Sequence, residues 1–591
     1  MGYQVPLKEI RFVLNELAEL PAVCTLPGYE DCNVDLVDAV LDEAAKFAEN
    51  VIAPINAAGD KGNVWNNFEV KTAEGFADAY AQFRDSGWVG LRAPQDYGGQ
   101  GLPALVAMAT EEMWCASSVS FSLAPLLTLG SIEAINHHAS DAVKATFLPA
   151  MCEGRWTGTM NLTEPNAGSD LAQVRTKAVD NGDGTYSITG QKIFITWGEH
   201  DMAENIIHLV LARLPDAPAG VKGISLFVVP KYLVNEDGSL GKRNDARCVS
   251  LEHKLGIHGS PTAVMSFGDE GGAIGYLVGE LNKGLPYMFT MMNHARLGVG
   301  VQGLAISDRA YQHAVEYARD RVQSRELGSP SPDSVAIIKH PDVRRMLMTM
   351  RAQIEAQRAL SYYTATALDR ASTHPNPEEK ARNQALVNFL IPIVKGWNTE
   401  QANEITSLGV QVHGGMGFIE ETGAAQYYRD ARITAIYEGT TGIQALDLIG
   451  RKLASEKGVT AAAVLAEVKA TVAKLAAAGS DFASLKANLE AGIEQAEACV
   501  NFVLETFGTQ PRLPAAGSVP FLKLMGILLG GWQLARGALI AQAKLGEDGA
   551  DTDFYTAKIV TARFYDAFFA SLGVFIVVPH NSIAVGLCSF F

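Results

Sequence analysis

Late in the chain, Tyr437-Glu438-Gly439-Thr440-Thr441-Gly442, followed by Ile443-Gln444, sets a carboxylate between an aromatic residue and a glycine, with hydroxyls directly after it. Such a carboxylate suits an exposed general base. Glycine lets the backbone approach a bound ligand closely, and proton abstraction then requires geometry and a matched pKa. Alone, the segment also reads as an ordinary loop or helix start. Three distant segments carry the chemical reading further: Leu162-Thr163-Glu164-Pro165-Asn166-Ala167-Gly168-Ser169-Asp170, Gly190-Gln191-Lys192-Ile193-Phe194-Ile195-Thr196, and Gln411-Val412-His413-Gly414-Gly415-Met416-Gly417-Phe418. The glycine turn of the last segment is not the GxGxxG of a dinucleotide-binding Rossmann unit.

Together, in this order and spacing, the four segments resemble the signatures of the flavin-dependent acyl-CoA dehydrogenases. Asn166 stands where glycine is usual in that family, and Phe194 where tryptophan is more usual. The similarity runs from the N-terminus to about residue 452. Short members end there; a subset of bacterial long forms, the 3-methylmercaptopropionyl-CoA dehydrogenase type among them, adds a helical domain.

The resemblance implies FAD as cofactor and an acyl-CoA as substrate. Oxidising a saturated acyl thioester to its enoyl form removes a proton from Cα and a hydride from Cβ, and no protein side chain accepts the hydride. Glu438 is the candidate base, strengthened by low-polarity surroundings, and its own N–H is a candidate donor to the thioester carbonyl. By resemblance, Leu162, Thr163, Ile195 and Thr196 contact the polar edge of the flavin, Phe194 packs near the ring, and Thr440 lies close to the FAD. Ser169 follows Gly168 in a turn suited to pyrophosphate or substrate; it also reads as part of a Ser-Asp helix cap. Arg325, Gln411, Gly414 and Gly415 are expected to reach the FAD of a neighbouring subunit, Arg325 from the end of a long helix. Asn293 and Arg296 match the substrate segment, with Arg296 also readable as an interior ion-pair residue, and Gly439 lets the thioester come close. His413 reads as a packed histidine. No metal site is expected.

Electron-transfer flavoprotein is the expected electron acceptor and a homodimer the expected assembly. An acyl-CoA oxidase using oxygen, or a non-catalytic CoA-binding protein that keeps the fold, are the alternatives.

A chain of 591 residues is too long for one core and suggests roughly three or four packed units. Its 48% hydrophobic and 19% charged residues describe a folded protein. The formal charge of −17 argues against nucleic acid and anionic membrane surfaces as main partners, while local arginines can still bind coenzyme A phosphates. Seven scattered cysteines without a CxxC pair read as reduced thiols, and with no secretory signal visible the expected location is cytoplasmic.

The elements that must position these residues follow an α+β plan. Residues 1–155 read as a helical N-terminal domain, with helices over 33–57 and 104–127, the second partly bounded by Pro103 and Pro125, on either side of the turn-rich loop 93–101. Residues 156–285 read as a middle β-domain, with a hairpin turn at Asn181-Gly182-Asp183-Gly184 and strands near 206–212, 224–230 and 262–267. Residues 286–452 form a helical bundle carrying the base, with runs over 296–325 and 342–373. Residues 453–591 form an additional helical extension ending in an apolar tail, whose two runs after Val574 are each too short to span a bilayer. No integral membrane segment is expected.

Overall fold

The computed structural model describes residues 2–567; the apolar tail from Val574 lies outside them. Helix α1 (Val34–Phe47) starts where Asn33 accepts a hydrogen bond from Leu36 N at 2.9 Å, an N-cap of the usual kind. The expected single run over 104–127 is two helices, α2 (Ala104–Ser117) and α3 (Val119–His138), separated at the extended Ser118. Pro125 sits inside α3 rather than ending it. α4 (Asp141–Cys152) closes this region. It is not wholly helical: Val64–Asn66 and Glu69–Lys71 pair as a small hairpin, which Trp65 Nε1 ties to Cys248 O at 2.9 Å.

Eight of the strands that follow belong together: β1 (Trp156–Asn161), β2 (Lys177–Asp180), β3 (Tyr186–Thr196), β4 (Asn205–Ala212), β5 (Ser225–Pro230), β6 (Ala246–Leu251), β7 (Thr262–Phe267) and β8 (Ala273–Val278). They form one sheet in the order β6-β7-β3-β8-β5-β4-β1, with β2 also on β3. All pairs are antiparallel except β1 with β4. β3 is long enough to serve two neighbours in succession: residues 186–188 pair with β8, and 190–196 with β7. Its far end therefore runs out at Phe194 and Thr196, in the segment expected to contact flavin.

Helical structure returns with α5 (Gly284–Asp320), α6 (Pro341–Thr373), α7 (Pro377–His413), α8 (Ala424–Thr434) and α9 (Thr441–Asp447). α5, α6 and α7 pack as one bundle. α5 ends at Asp320, not at Arg325: residues 322–325 form a strand paired with Ser334–Ala336. The extension adds α10 (Val459–Ala477), α11 (Ala483–Thr506), α12 (Ser518–Lys544) and α13 (Thr552–Tyr565). α12 lies against α6, α7 and α13. Lys558 on α13 is buried and meets Glu9 near the N-terminus and Glu355 on α6, joining three distant parts of the chain. Two helices, α3 and α12, are long and apolar enough to cross a membrane by length and composition, and most of each apolar stretch is buried inside the fold.

Candidate active site

The base segment occupies the turn between α8 and α9. Glu438 has φ 55° and Gly439 φ 92°, two successive left-handed residues. The second is glycine for the usual steric reason; the first is a glutamate held in a conformation that costs about 1–3 kcal/mol. Buried donors hold the turn. Lys395 Nζ on α7 donates to Gly439 O at 2.7 Å, Gln444 Nε2 on α9 donates to Glu438 O at 3.1 Å, and Arg296 Nε on α5 reaches the same oxygen at 3.4 Å. Both carbonyls of the turn therefore point into protein. Among the described residues the Glu438 N–H has no acceptor, and it remains free to meet a ligand oxygen.

Burial raises the Glu438 carboxyl above its ordinary range, while the Arg296 and Lys395 charges pull it back down. Burial likewise lowers Lys395 to about 7, opposed by the Glu438 charge. A half-buried carboxylate with a raised pKa and two cations within electrostatic reach fits a general base that works near neutral pH. Tyr437 anchors the other side of the turn through its hydroxyl on Gln302.

Arg296 is 6% exposed. Its contacts are Glu438 O and, at 3.9 Å, Asp447, so the interior ion-pair reading describes its surroundings, now with a link to the base. Asn293, one turn earlier on α5, is half-buried.

The flavin segments meet at the end of β3. Ile193 N donates to Thr163 O at 2.9 Å, which sets Leu162 and Thr163 alongside Ile193–Thr196. Lys192, wholly buried, donates to Leu162 O at 2.9 Å and to Glu164 at 2.8 Å. Glu164 also accepts from Arg175 N, Thr176 N and Thr176 Oγ1. This pair locks the 162–176 loop to β3. Ile195 is buried, whereas Phe194, at φ 59°, turns 58% of its surface outward. An aromatic ring held exposed at a strained position is suited to pack on a planar ligand. Ser169 is exposed and makes no cap; Asp170 does, accepting from Ala172 N at 3.0 Å. Thr440 caps α9 through Ile443 N at 3.3 Å and is exposed. These residues fit an FAD: open hydroxyls, a free aromatic face and a glycine turn that nothing crowds.

Gln411, Gly414 and Gly415 lie together, exposed, at the end of α7. Arg325 is exposed on the 322–325 strand rather than at a helix end; the helix stops five residues sooner. His413 is packed, with Nδ1 on Gly409 O at 2.7 Å and its ring 4.5 Å from Tyr317.

Lys192, Glu164, Lys395 and Gln444 are the site residues that motif reading passed over. All but Lys395 stand inside the quoted segments, but nothing in the spacing of Lys192 and Glu164 marks them as an ion pair. Lys395 directly follows the apolar run Leu390-Ile391-Pro392-Ile393-Val394, where a lysine is itself the signal.

Comparison with known proteins agrees with this arrangement. Residues 37–155, 159–269 and 282–454 match the models of the acyl-CoA dehydrogenase N-terminal, middle and C-terminal domains, and residues 464–569 match the acetyl-CoA dehydrogenase C-terminal-like domain. The chain is 51% identical to a 3-methylmercaptopropionyl-CoA dehydrogenase of Ruegeria pomeroyi, over 96% of this chain and 95% of that one. It is 37% identical to a butyryl-CoA dehydrogenase of Syntrophomonas wolfei, over 95% and 94%. An acyl-CoA dehydrogenase from Bacillus anthracis, solved in complex with FAD, shares the fold with a TM-score of 0.74 at 21% identity, over 93% of this chain and 88% of that one. The chain belongs to the acyl-CoA dehydrogenase family, as an FAD-dependent oxidoreductase of its long form with the added C-terminal helical domain.

Proposed function

We propose that the protein converts a short acyl-CoA thioester to its trans-2-enoyl-CoA, with Glu438 taking the α-proton. The observation that carries this reading is the Glu438 turn: a carboxyl raised by burial, with cations at its back and its own N–H free. The thioester oxygen meets that N–H, which favours the enolate-like charge that develops as the proton leaves. Gly439 leaves room for the thioester, and Asn293 and Ser169, both accessible to a ligand, face the coenzyme A. Arg296 keeps the base in place. Bound FAD supplies the hydride acceptor for Cβ. Leu162, Thr163, Ser169, Phe194, Ile195, Thr196 and Thr440 hold it in one subunit, with Gln411, Gly414, Gly415 and Arg325 contributed by a second.

The relative named for 3-methylmercaptopropionyl-CoA matches almost end to end, which supports that thioester as the substrate. A homodimer is supported by the exposed apolar residues Met416, Phe418 (84% exposed) and Ile419 beside the glycine turn, a patch that a second copy would cover. Electron-transfer flavoprotein is the proposed acceptor and the cytoplasm the proposed location.

Anaerobic titration with a panel of acyl-CoA thioesters, following flavin absorbance, tests the proposal. Bleaching by 3-methylmercaptopropionyl-CoA, lost by at least about 100-fold in Glu438→Gln with FAD content retained, is expected. A flavin that no thioester bleaches refutes it, and rapid reoxidation in air points to an oxidase instead.

A further inference from the structure

Between α2, α3 and α5 lies a chamber walled by Phe83, Trp88, Met108, Trp114, Leu126 and Leu129. His294, Leu297 and Gly298 of α5 complete it, and the same helix carries Arg296, whose Nε meets the backbone of the base. Cys115, one turn on from Glu111 and bonded to Ser122 of this wall, lies within electrostatic reach of Tyr437, the residue next to Glu438. The cavity is about 60 Å³, room for a handful of heavy atoms and not for a long chain.

Its lining is not purely apolar. Trp88 Nε1, Glu111 Oε1 and His294 Nε2 are buried and have no hydrogen-bond partner among the described residues, and all three residues line the chamber. A buried polar atom without a partner is costly, and three around one cavity describe a site completed by something bound. Two of the three are donors. Arg92 Nη1 lies 3.1 Å from His294 Nδ1, and arginine only donates, so Nδ1 accepts. Burial keeps the His294 ring towards its neutral form, which leaves its proton on Nε2. The Trp88 indole N–H is a donor by nature. Burial pushes Glu111 up to about 7, with Arg92 opposing and Glu133 assisting, so near neutral pH a large share of it is the acid, with an O–H to give. Gly298 faces it: a Cβ there would fall 2.6 Å from Glu111 Oε1, so the glycine keeps that oxygen open.

We propose that this chamber takes the distal end of a short acyl chain bearing a hydrogen-bond-accepting heteroatom, a thioether sulfur above all, and that Glu111, His294 and Trp88 select it over an all-carbon chain of equal length. This rests on the dehydrogenase reading above. The aromatic walls add contacts that a polarizable sulfur fills better than a methylene. Sulfur is a weak acceptor, so the selectivity is modest.

The test is kcat/KM of the FAD-loaded full chain for 3-methylmercaptopropionyl-CoA and for pentanoyl-CoA, which places a methylene where the sulfur stands, with 3-methoxypropionyl-CoA as the ether. The expected preference for either heteroatom over carbon is about two- to tenfold, the worth of one hydrogen bond. In Glu111→Leu the ratio falls to near one; in Glu111→Gln, which still donates, it is largely kept. Parity between thioether and pentanoyl in the wild-type enzyme overturns the proposal without any variant, whether or not Glu111→Leu folds. A preference that survives both Glu111→Leu and His294→Leu also overturns it. Bleaching by the thioesters without discrimination sinks this inference alone, whereas failure of every thioester to bleach the flavin sinks it together with the dehydrogenase reading.

Discussion

Replacing Lys395 with methionine separates a residue that positions the base from one that merely fills the bundle. Lys395 is wholly buried on α7, and its ammonium donates to Gly439 O at 2.7 Å. Without it, that carbonyl keeps only Gln444 Nε2 at 3.4 Å. A hydrogen bond from a charged group is worth about 1.5–3 kcal/mol, comparable to the strain stored in a left-handed glutamate. The variant turn can therefore relax and carry the carboxylate away from its place. If that whole energy is lost from the transition state, flavin reduction slows about 10- to 150-fold. Methionine has nearly the same shape, and removing a buried ammonium recovers desolvation energy, so the fold itself is little affected. The pH dependence gives the second reading. In the proposed reaction Glu438 acts as a carboxylate, and burial already raises its pKa against the pull of Arg296 and Lys395. Removing one of those cations raises it further, so the acid limb of the reduction rate moves to higher pH. Stopped-flow reduction under anaerobic conditions across pH, with FAD content and melting temperature measured alongside, makes the assay. A lysine that only fills space would lower the melting temperature and leave the limb where it was. Full FAD occupancy with wild-type rate and an unmoved limb would refute the reasoning.

Three further outcomes follow from the structure. Lys192→Met strands Glu164, buried and otherwise held below its ordinary pKa against burial by that ammonium and its hydrogen bonds; breaking such a pair costs about 3–5 kcal/mol, so thermal melting should show a large loss of stability and purified protein a loss of yellow colour, and a shift of under about 1 kcal/mol counts against the clamp. His200 and His208 are buried and lowered to about 3 by burial and nearby cations; because their folded pKa values lie below the unfolded 6.5, the stability they permit is present above about pH 6.5 and declines as pH falls towards 3, by about 2 kcal/mol each at about pH 5, which denaturant titrations at two pH values would reveal or exclude. Phe418→Asp places a charge in the exposed apolar patch beside Gly415; sedimentation should show monomers and weaker FAD retention, and an unchanged dimer would move the interface elsewhere.

The parts legible in the sequence are those whose chemistry is local. Glu438 stood out because a glutamate before glycine and two threonines carries its meaning within six residues, and the hairpin at Asn181–Gly184 because turn residues announce themselves. The strands near 206, 225 and 262 were readable from runs of mostly apolar and β-branched residues, and the sheet buries the first two along their whole length. The misreadings have physical causes as well. Pro125 looked like a helix boundary, but in a helix packed on every side its missing N–H is a small loss against the buried surface of α3. Arg325 looked like a helix end because helical spacing fades gradually, whereas the chain turns at Arg321 into a strand whose residues are all exposed and carry no apolar signature.

The supports of the site were hidden for a different reason: their function exists only between segments. Lys395 lies 43 residues before Glu438 in the chain, and the oxygen it serves is a backbone atom of Gly439, which no pattern of side chains can display. Glu164 and Lys192 are each inside a recognisable motif, yet their pairing across 28 residues is what fixes the flavin loop to β3. The same holds for the Glu111 chamber, whose three unpartnered atoms come from three separate elements. Strain ties these observations together. A left-handed glutamate is tolerated only where surrounding structure over-determines it, and at Glu438 buried donors converge on the carbonyls of the turn. Lys395, directly after the Leu390–Val394 run, is a fully buried cation whose burial demands a partner. A strained base and a cation stranded in an apolar stretch are thus two halves of one requirement, and each is evidence for the other.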